Sequence, residues 1–90
     1  MYTIEFSTVA KENIQLIKNK YPPKVYDKLI ELLKELSIHP RTGKGKPELL
    51  KGTNGRWSRR LTKKDRIEYY IYDKVVQVYV VKCLGHYTDK

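Results

Sequence analysis

Trp57-Ser58-Arg59-Arg60-Leu61, Arg66-Ile67-Glu68-Tyr69-Tyr70-Ile71-Tyr72 and Val75-Val76-Gln77-Val78-Tyr79-Val80-Val81-Lys82-Cys83 are three runs with a strand-like pattern of period two. Thr62-Lys63-Lys64-Asp65 and Asp73-Lys74 separate them. Connections this short cannot hold a crossover helix, so the three runs predict an antiparallel meander. In the middle run Ile67, Tyr69 and Ile71 share one face, while Arg66, Glu68, Tyr70 and Tyr72 share the other. If the first face packs on helices, Trp57 and Leu61 join it, and Ser58, Arg60, Arg66 and Glu68 remain on an open face. Arg59 does not suit an apolar inward face and is expected to bend out or to snorkel.

Upstream, Tyr2, Ile4 and Phe6 alternate with Thr3 and Glu5, which predicts a short strand with one buried face. Ser7 or Thr8 can cap a helix that runs to about Lys20 and ends at Tyr21-Pro22-Pro23. Pro23 suits the first turn of a second helix, in which Val25, Leu29, Leu32, Leu33 and Leu36 form one apolar stripe. His39-Pro40 closes that helix, because a residue before proline is pushed away from helical angles. Arg41 to Gly55 reads as a glycine-rich loop with at most one short extended piece. The order strand, two helices, three strands predicts an α+β domain over residues 1–90, with the helices on one side of the sheet.

Composition narrows the function. The chain has 90 residues, 40% of them hydrophobic and 11% aromatic, enough for one thin core but not for two domains. No apolar run approaches the roughly 18 residues that span a bilayer, and the N-terminus lacks the pattern of a signal peptide. A cytoplasmic location is expected. The single cysteine, Cys83, excludes an internal disulfide framework and reads as a small core residue. No carboxylate or histidine cluster stands at ligand spacing, so neither metal nor cofactor is implied.

The net charge is +9, and the stretch from Arg41 to Arg66 holds ten Lys and Arg against only Glu48 and Asp65. Solvated surfaces usually mix the two signs, whereas a one-sided field suits a polyanion. An open sheet face rimmed by cations and tyrosines fits single-stranded RNA, with phosphates on Arg and Lys and bases on aromatic rings. RNA also carries its own nucleophile, the 2′-hydroxyl. Cleavage then requires a base, an acid and fixed cations around the phosphate. Glu48, kept ionised by Lys44, Lys46 and Lys51, can be the base, or it can simply balance a lysine-rich loop. His86 has the natural pKa of a proton carrier, though a histidine near a chain end is more commonly a plain surface residue. His39 reads as structural. Arg60 and Arg66 offer planar, permanently charged forks for a phosphate.

Gly43-Lys44-Gly45-Lys46-Pro47-Glu48-Leu49-Leu50-Lys51, Gly55-Arg56-Trp57-Ser58-Arg59-Arg60-Leu61-Thr62, Arg66-Ile67-Glu68-Tyr69 and His86-Tyr87, in that order, resemble the YoeB (Txe) branch of the RelE/ParE toxins. The resemblance implies a small RelE-like α+β fold and a toxin of a type II toxin–antitoxin pair that cleaves messenger RNA in the ribosomal A site without a metal. Carried over by position, Glu48 would be the general base and His86 the general acid. Arg66 would stabilise the transition-state phosphate, Arg60 and Lys51 would assist, and Tyr87 would orient substrate or support the site. Lys44, Lys46 and Arg59 would contact RNA backbone. The implied partners are an acidic antitoxin similar to YefM, the ribosome with its message, and a second copy of the chain. Glu68 beside this site would either orient Arg66 or weaken its field. Beside this reading stand a non-catalytic RNA- or ribosome-binding translation inhibitor and a gyrase poison of the ParE type, which shares the fold without this catalytic set.

Overall fold

In the computed structural model, which describes residues 1–85, the chain forms β1 (Thr3–Phe6), α1 (Thr8–Lys20), α2 (Pro23–Ile38), β2 (Glu48–Leu49), β3 (Trp57–Arg60), β4 (Arg66–Tyr72) and β5 (Gln77–Lys82). Ser7 caps α1 in an extended conformation, its Oγ accepting the Ala10 N–H at 2.9 Å. Such a cap contributes about 1 kcal/mol. The same hydroxyl donates to the Val81 carbonyl at 2.5 Å and so ties the start of α1 to β5. Tyr21, before the two prolines, is extended and ends α1, and Pro23 opens α2. Leu29, Leu32 and Leu36 of α2 are fully buried, as their spacing requires.

The sheet has five strands in the order β1-β5-β4-β3-β2. The meander of β3, β4 and β5 is antiparallel as expected. Two strands extend it. β1 pairs parallel to β5, Thr3 opposite Gln77 through Phe6 opposite Val80, because the two helices return the chain to the far side of the sheet. At the other edge the short extended piece of the basic loop becomes β2, with Glu48 opposite Ser58 and Leu49 opposite Trp57. The α+β class is as predicted, but the sheet is mixed and wider than a lone strand and a three-stranded meander.

The last strand also starts later than its sequence suggests. Tyr72 pairs with Gln77, so the four residues between them make one tight turn, closed by the Val76 N–H on the Asp73 carbonyl at 3.1 Å. Val76 is left-handed at φ 52°, an uncommon setting for a β-branched residue, and neither Val75 nor Val76 joins β5.

Ala10, Ile17, Leu29, Leu32 and Leu36 from the helices meet Ile67, Tyr69, Val78 and Val80 from β4 and β5 in one core, with Leu61 and Cys83 at its margin. Each fully buried aliphatic side chain there is worth about 1.5–3 kcal/mol. Ser58, Arg60, Arg66, Glu68, Tyr70 and Tyr72 stand on the opposite face, because cross-strand partners and alternate residues share a side.

Candidate RNA-binding face and active site

Register builds the site row by row. Glu48 of β2, Ser58 of β3, Glu68 of β4 and Lys82 of β5 are successive cross-strand partners and so stand on one face. Glu48 is exposed, and two strand spacings of about 4.8 Å separate its backbone from that of Glu68. In the next row Arg60 lies directly opposite Arg66. Arg60 is exposed and Arg66 half-buried, so this row sets two planar, permanently charged side chains at facing positions, the residue type that matches a phosphate. Glu48 and this arginine pair therefore share one face, separated by less than the reach of two long side chains.

Glu68, left open between orienting Arg66 and weakening its field, is paired with two other cations. Its carboxylate is 2.9 Å from Arg56 Nη1 and 3.9 Å from Lys82 Nζ, and its side chain is 13% exposed. Two cations thus offset its charge beside the arginine row. Arg56 also donates from Nε to the Tyr70 hydroxyl at 3.3 Å.

The loop bearing Glu48 is fastened at both ends. Past β2, Leu50 N–H donates to the Arg56 carbonyl at 2.8 Å, and Thr53 Oγ1 donates to the Leu50 carbonyl at 2.6 Å and accepts the Arg56 N–H at 3.1 Å. Lys51 is exposed in this turn. Ahead of β2, the Arg60 N–H donates to the Gly45 carbonyl at 2.6 Å. Gly45 has φ +81°, and a Cβ there would lie 2.9 Å from the Arg60 carbonyl oxygen. A side chain is excluded by both sterics and backbone angle.

Arg59 corrects the sequence-based expectation. It neither bends out nor snorkels, and as a wholly buried side chain it cannot present its guanidinium to RNA. Nε donates to the Tyr69 hydroxyl at 3.3 Å, Nη1 to Glu35 Oε1 at 2.6 Å and to the Lys44 carbonyl at 3.2 Å, and Nη2 to the carbonyls of Thr42 at 2.6 Å and of His39. All five N–H groups of the guanidinium have an acceptor. The Tyr69 hydroxyl in turn donates to the Pro40 carbonyl at 2.8 Å, and burial pushes its pKa up, which keeps it a neutral donor. Arg59 thus gathers the whole of the segment from His39 to Lys44 around itself. The backbone N–H of Lys44 donates to Glu35, which with Arg59 holds the Glu35 carboxyl below its usual range.

Two sequence positions bear on this hub without revealing it. Arg59 occupies the inward phase between Trp57 and Leu61, and Glu35 borders the apolar stripe of α2 on the side of Leu32. The phase of Arg59 alone does not establish burial, since an arginine at an inward position can equally snorkel, and Glu35 flanks the apolar stripe rather than lying inside it. Lys44 and Lys46 are exposed, as an RNA contact requires, although Lys44 Nζ is paired with Glu31.

His86 and Tyr87 lie outside the described residues. The chain leading to them is placed: Asn13 Oδ1 accepts the N–H groups of Cys83 at 3.0 Å and Leu84 at 3.2 Å, and Asp65 Oδ1 accepts the Gly85 N–H at 3.2 Å. Gly85, immediately before His86, is thereby tied to the residue immediately before Arg66. Burial pushes the Cys83 thiol up to about 12, consistent with a core residue. Among the described residues no helix is long and apolar enough to cross a membrane.

Known proteins share this sequence and arrangement. A family model described as "YoeB-like toxin of bacterial type II toxin-antitoxin system" matches residues 6–87. The chain is 38% identical over 65 residues to Toxin YoeB of Escherichia coli K12, a match covering 71% of this chain and 75% of that protein. Among solved structures it is similar to a YoeB/ParE toxin from Agrobacterium tumefaciens, with 27% identity, a TM-score of 0.86 and coverage of 94% of this chain and 99% of that one. It is similar also to YoeB of Staphylococcus aureus, solved as a dimer, with 32% identity, a TM-score of 0.82 and coverage of 96% and 98%. A heterotetrameric YoeB–YefM toxin–antitoxin complex from S. aureus matches at 31% identity and a TM-score of 0.80, with coverage of 97% and 99%. With a family match spanning nearly the whole chain and relatives alike in both sequence and fold, this chain belongs to the YoeB-like toxins of bacterial type II toxin–antitoxin systems.

Proposed function

We propose that the chain is a metal-independent endoribonuclease that cleaves messenger RNA in the ribosomal A site and so halts translation in the cytoplasm. The observation that carries this reading is the shared face of Glu48 and the Arg60–Arg66 pair, a carboxylate base and a phosphate clamp on adjoining rows of one sheet. Glu48 takes the proton of the RNA 2′-hydroxyl. The freed oxygen attacks the neighbouring phosphorus, the bond from phosphorus to the 5′-oxygen breaks, and His86 protonates that leaving oxygen. The products are a 2′,3′-cyclic phosphate and a 5′-hydroxyl. Arg66, with Arg60 and Lys51, stabilises the charge that grows on the phosphate oxygens. Tyr87 orients the substrate, and Lys44 and Lys46 contact RNA backbone. Because RNA brings the nucleophile and the ribosome presents the strand, an open sheet face suffices.

Two partners belong to the same reading. An acidic antitoxin similar to YefM would cover the basic face, as charge complementarity favours and as the S. aureus complex supports, and a second copy of the chain would pair with the first, as in the S. aureus dimer. Toeprinting of a translating message with wild-type and Glu48→Ala protein tests the reaction. Cleavage by the wild type and its loss in the variant are expected. Equal cleavage by both overturns the assigned base, and growth arrest without cleavage by either favours a non-catalytic block of the ribosome.

A further inference from the structure

The face that carries Glu48 and the arginines continues beyond them. One row past Glu48, Ser58 and Glu68, the Arg56 guanidinium carbon lies 5.3 Å from the centre of the Tyr70 ring. Tyr70 stacks in turn on Tyr72, with centroids 6.3 Å apart and planes inclined by 26°. Tyr70 and Tyr72 alternate with Ile71 on β4 and therefore stand on the same side as Arg66 and Glu68. The three side chains form a column parallel to the strand.

The inner part of this column is committed to the protein. Arg56 is held by Glu68 at 2.9 Å, and the Tyr70 hydroxyl reaches the Thr53 carbonyl at 3.4 Å. Its outer end is not spent on packing. Tyr72 is 47% exposed and, with Ile71, Asp73, Lys74 and Val75, lines an open surface depression of about 490 Å3 at the β4–β5 turn. The one carboxylate in that wall, Asp73, is already held by Arg41 at 2.6 Å and by the Tyr2 hydroxyl at 2.6 Å, so its charge is largely offset. The exposed Lys74 adds a cation to the same wall. An aromatic plane, apolar flanks and a cation make up the surface that takes one unpaired nucleobase and its phosphate.

We propose that Tyr72 is a stacking platform for an unpaired base of the bound RNA strand, with Lys74 beside the phosphate of that nucleotide. The proposal rests on the reading that RNA is the substrate and adds a subsite to it. Tyr72 lies four residues from Glu68, about 13 Å along the strand, so the stacked base belongs to a flanking nucleotide rather than to the one that is cut. The subsite would hold the strand in register on the open face and set a base preference outside the cleaved bond.

The test uses the whole chain and an RNA tetranucleotide methylated at every 2′-oxygen, which cannot be cut by 2′-hydroxyl attack. On titration followed by NMR, the ring protons of Tyr72 should move upfield and saturate. Tyr72→Phe should bind as the wild type does, and Tyr72→Ala should bind about tenfold or more weakly, as loss of a base–aromatic stack predicts. An abasic tetranucleotide of equal charge should bind wild type and Tyr72→Ala alike. The proposal is overturned if Tyr72 does not shift, if Tyr72→Ala binds equally well, or if the abasic strand discriminates as the intact one does. Displacement of the Tyr72 signals only by an acidic peptide would assign the depression to a protein partner instead. Toeprinting separates this subsite from the reaction: cleavage with no Tyr72 stacking removes the platform alone, and stacking with no cleavage removes the nuclease alone.

Discussion

Arg59 and Glu35 meet at 2.6 Å between β3 and α2, the arginine side chain wholly enclosed and the carboxylate 25% exposed. The pair does more than neutralise a buried charge. Around it turn the carbonyls of His39, Thr42 and Lys44, so the loop that ends in Glu48 takes its shape from an arginine inside the core.

Removing that arginine leaves the Glu35 carboxylate with only the Lys44 N–H and deprives three loop carbonyls of their donor. Arg59→Ala is expected to cost about 3–5 kcal/mol, the usual penalty for breaking one side of a buried pair and a large share of a small domain's stability. Arg59→Lys keeps the charge but replaces five forked donors by three on one nitrogen, and should lose about 1–3 kcal/mol. Urea unfolding followed by Trp57 fluorescence measures both, and an Arg59→Ala protein as stable as the wild type would refute the hub.

The same pair sets a dependence on pH. The Lys44 N–H, followed by Arg59, lowers the pKa of Glu35, so the folded chain holds this proton less tightly than the unfolded chain does. The resulting stability is complete above the ordinary glutamate value of about 4.3 and is lost as pH falls through the lower folded value. Asp73, lowered by Arg41 and Tyr2, acts in the same direction, but its exposure to solvent makes it a minor contributor. Melting temperatures between pH 7 and pH 2 should fall below about pH 4.5 in the wild type, and Glu35→Gln should flatten that fall. A parallel decline in the two proteins would remove Glu35 as a cause.

Gly45 links the hub to Glu48, the proposed base. Gly45→Ala forces a Cβ to within 2.9 Å of the Arg60 carbonyl at φ +81°, and is expected to cost about 2 kcal/mol through left-handed strain and the clash. It should also slow single-turnover cleavage on programmed ribosomes by about tenfold to a hundredfold, because displacing a proton acceptor by an ångström is enough to do so. Ribosome binding measured by sedimentation should hold. Equal losses of binding and rate would mean that the loop serves docking rather than placement of Glu48.

Cys83 is buried, and its thiol is pushed up to about 12 by desolvation. Alkylation by iodoacetamide at pH 8 should be negligible in the folded chain and rapid in urea, so labelling reports global opening. Rapid labelling without denaturant would place a breathing motion between β5 and α1.

Much of this architecture is legible in the sequence because local rules and tertiary packing agree. Ser7 and the prolines bound the helices, the leucine stripe of α2 faces the core, and the period-two runs pair as their short turns require. Glu48, Arg60 and Arg66 fall on one face for the same reason. Two features are not local and were not legible. Parallel pairing of β1 with β5 is a contact between the two ends of the chain, and no turn residue encodes it. Arg59 is inward by phase, but charge argues against burial, and only the convergence of Glu35, Tyr69 and three carbonyls from a distant loop makes the enclosure favourable.

That pairing of β1 with β5 governs when the toxin can exist. During synthesis the first strand emerges long before Gln77 to Lys82, the segment beside which it lies. A nascent chain that ends ahead of Gln77 can form its helices and the β3–β4 hairpin, but the strand joining the hairpin to β1 is still missing. Closure over so long a span of chain is also intrinsically slow. The sheet on which Glu48 and the arginines stand is therefore complete only once the segment through Lys82 has been made.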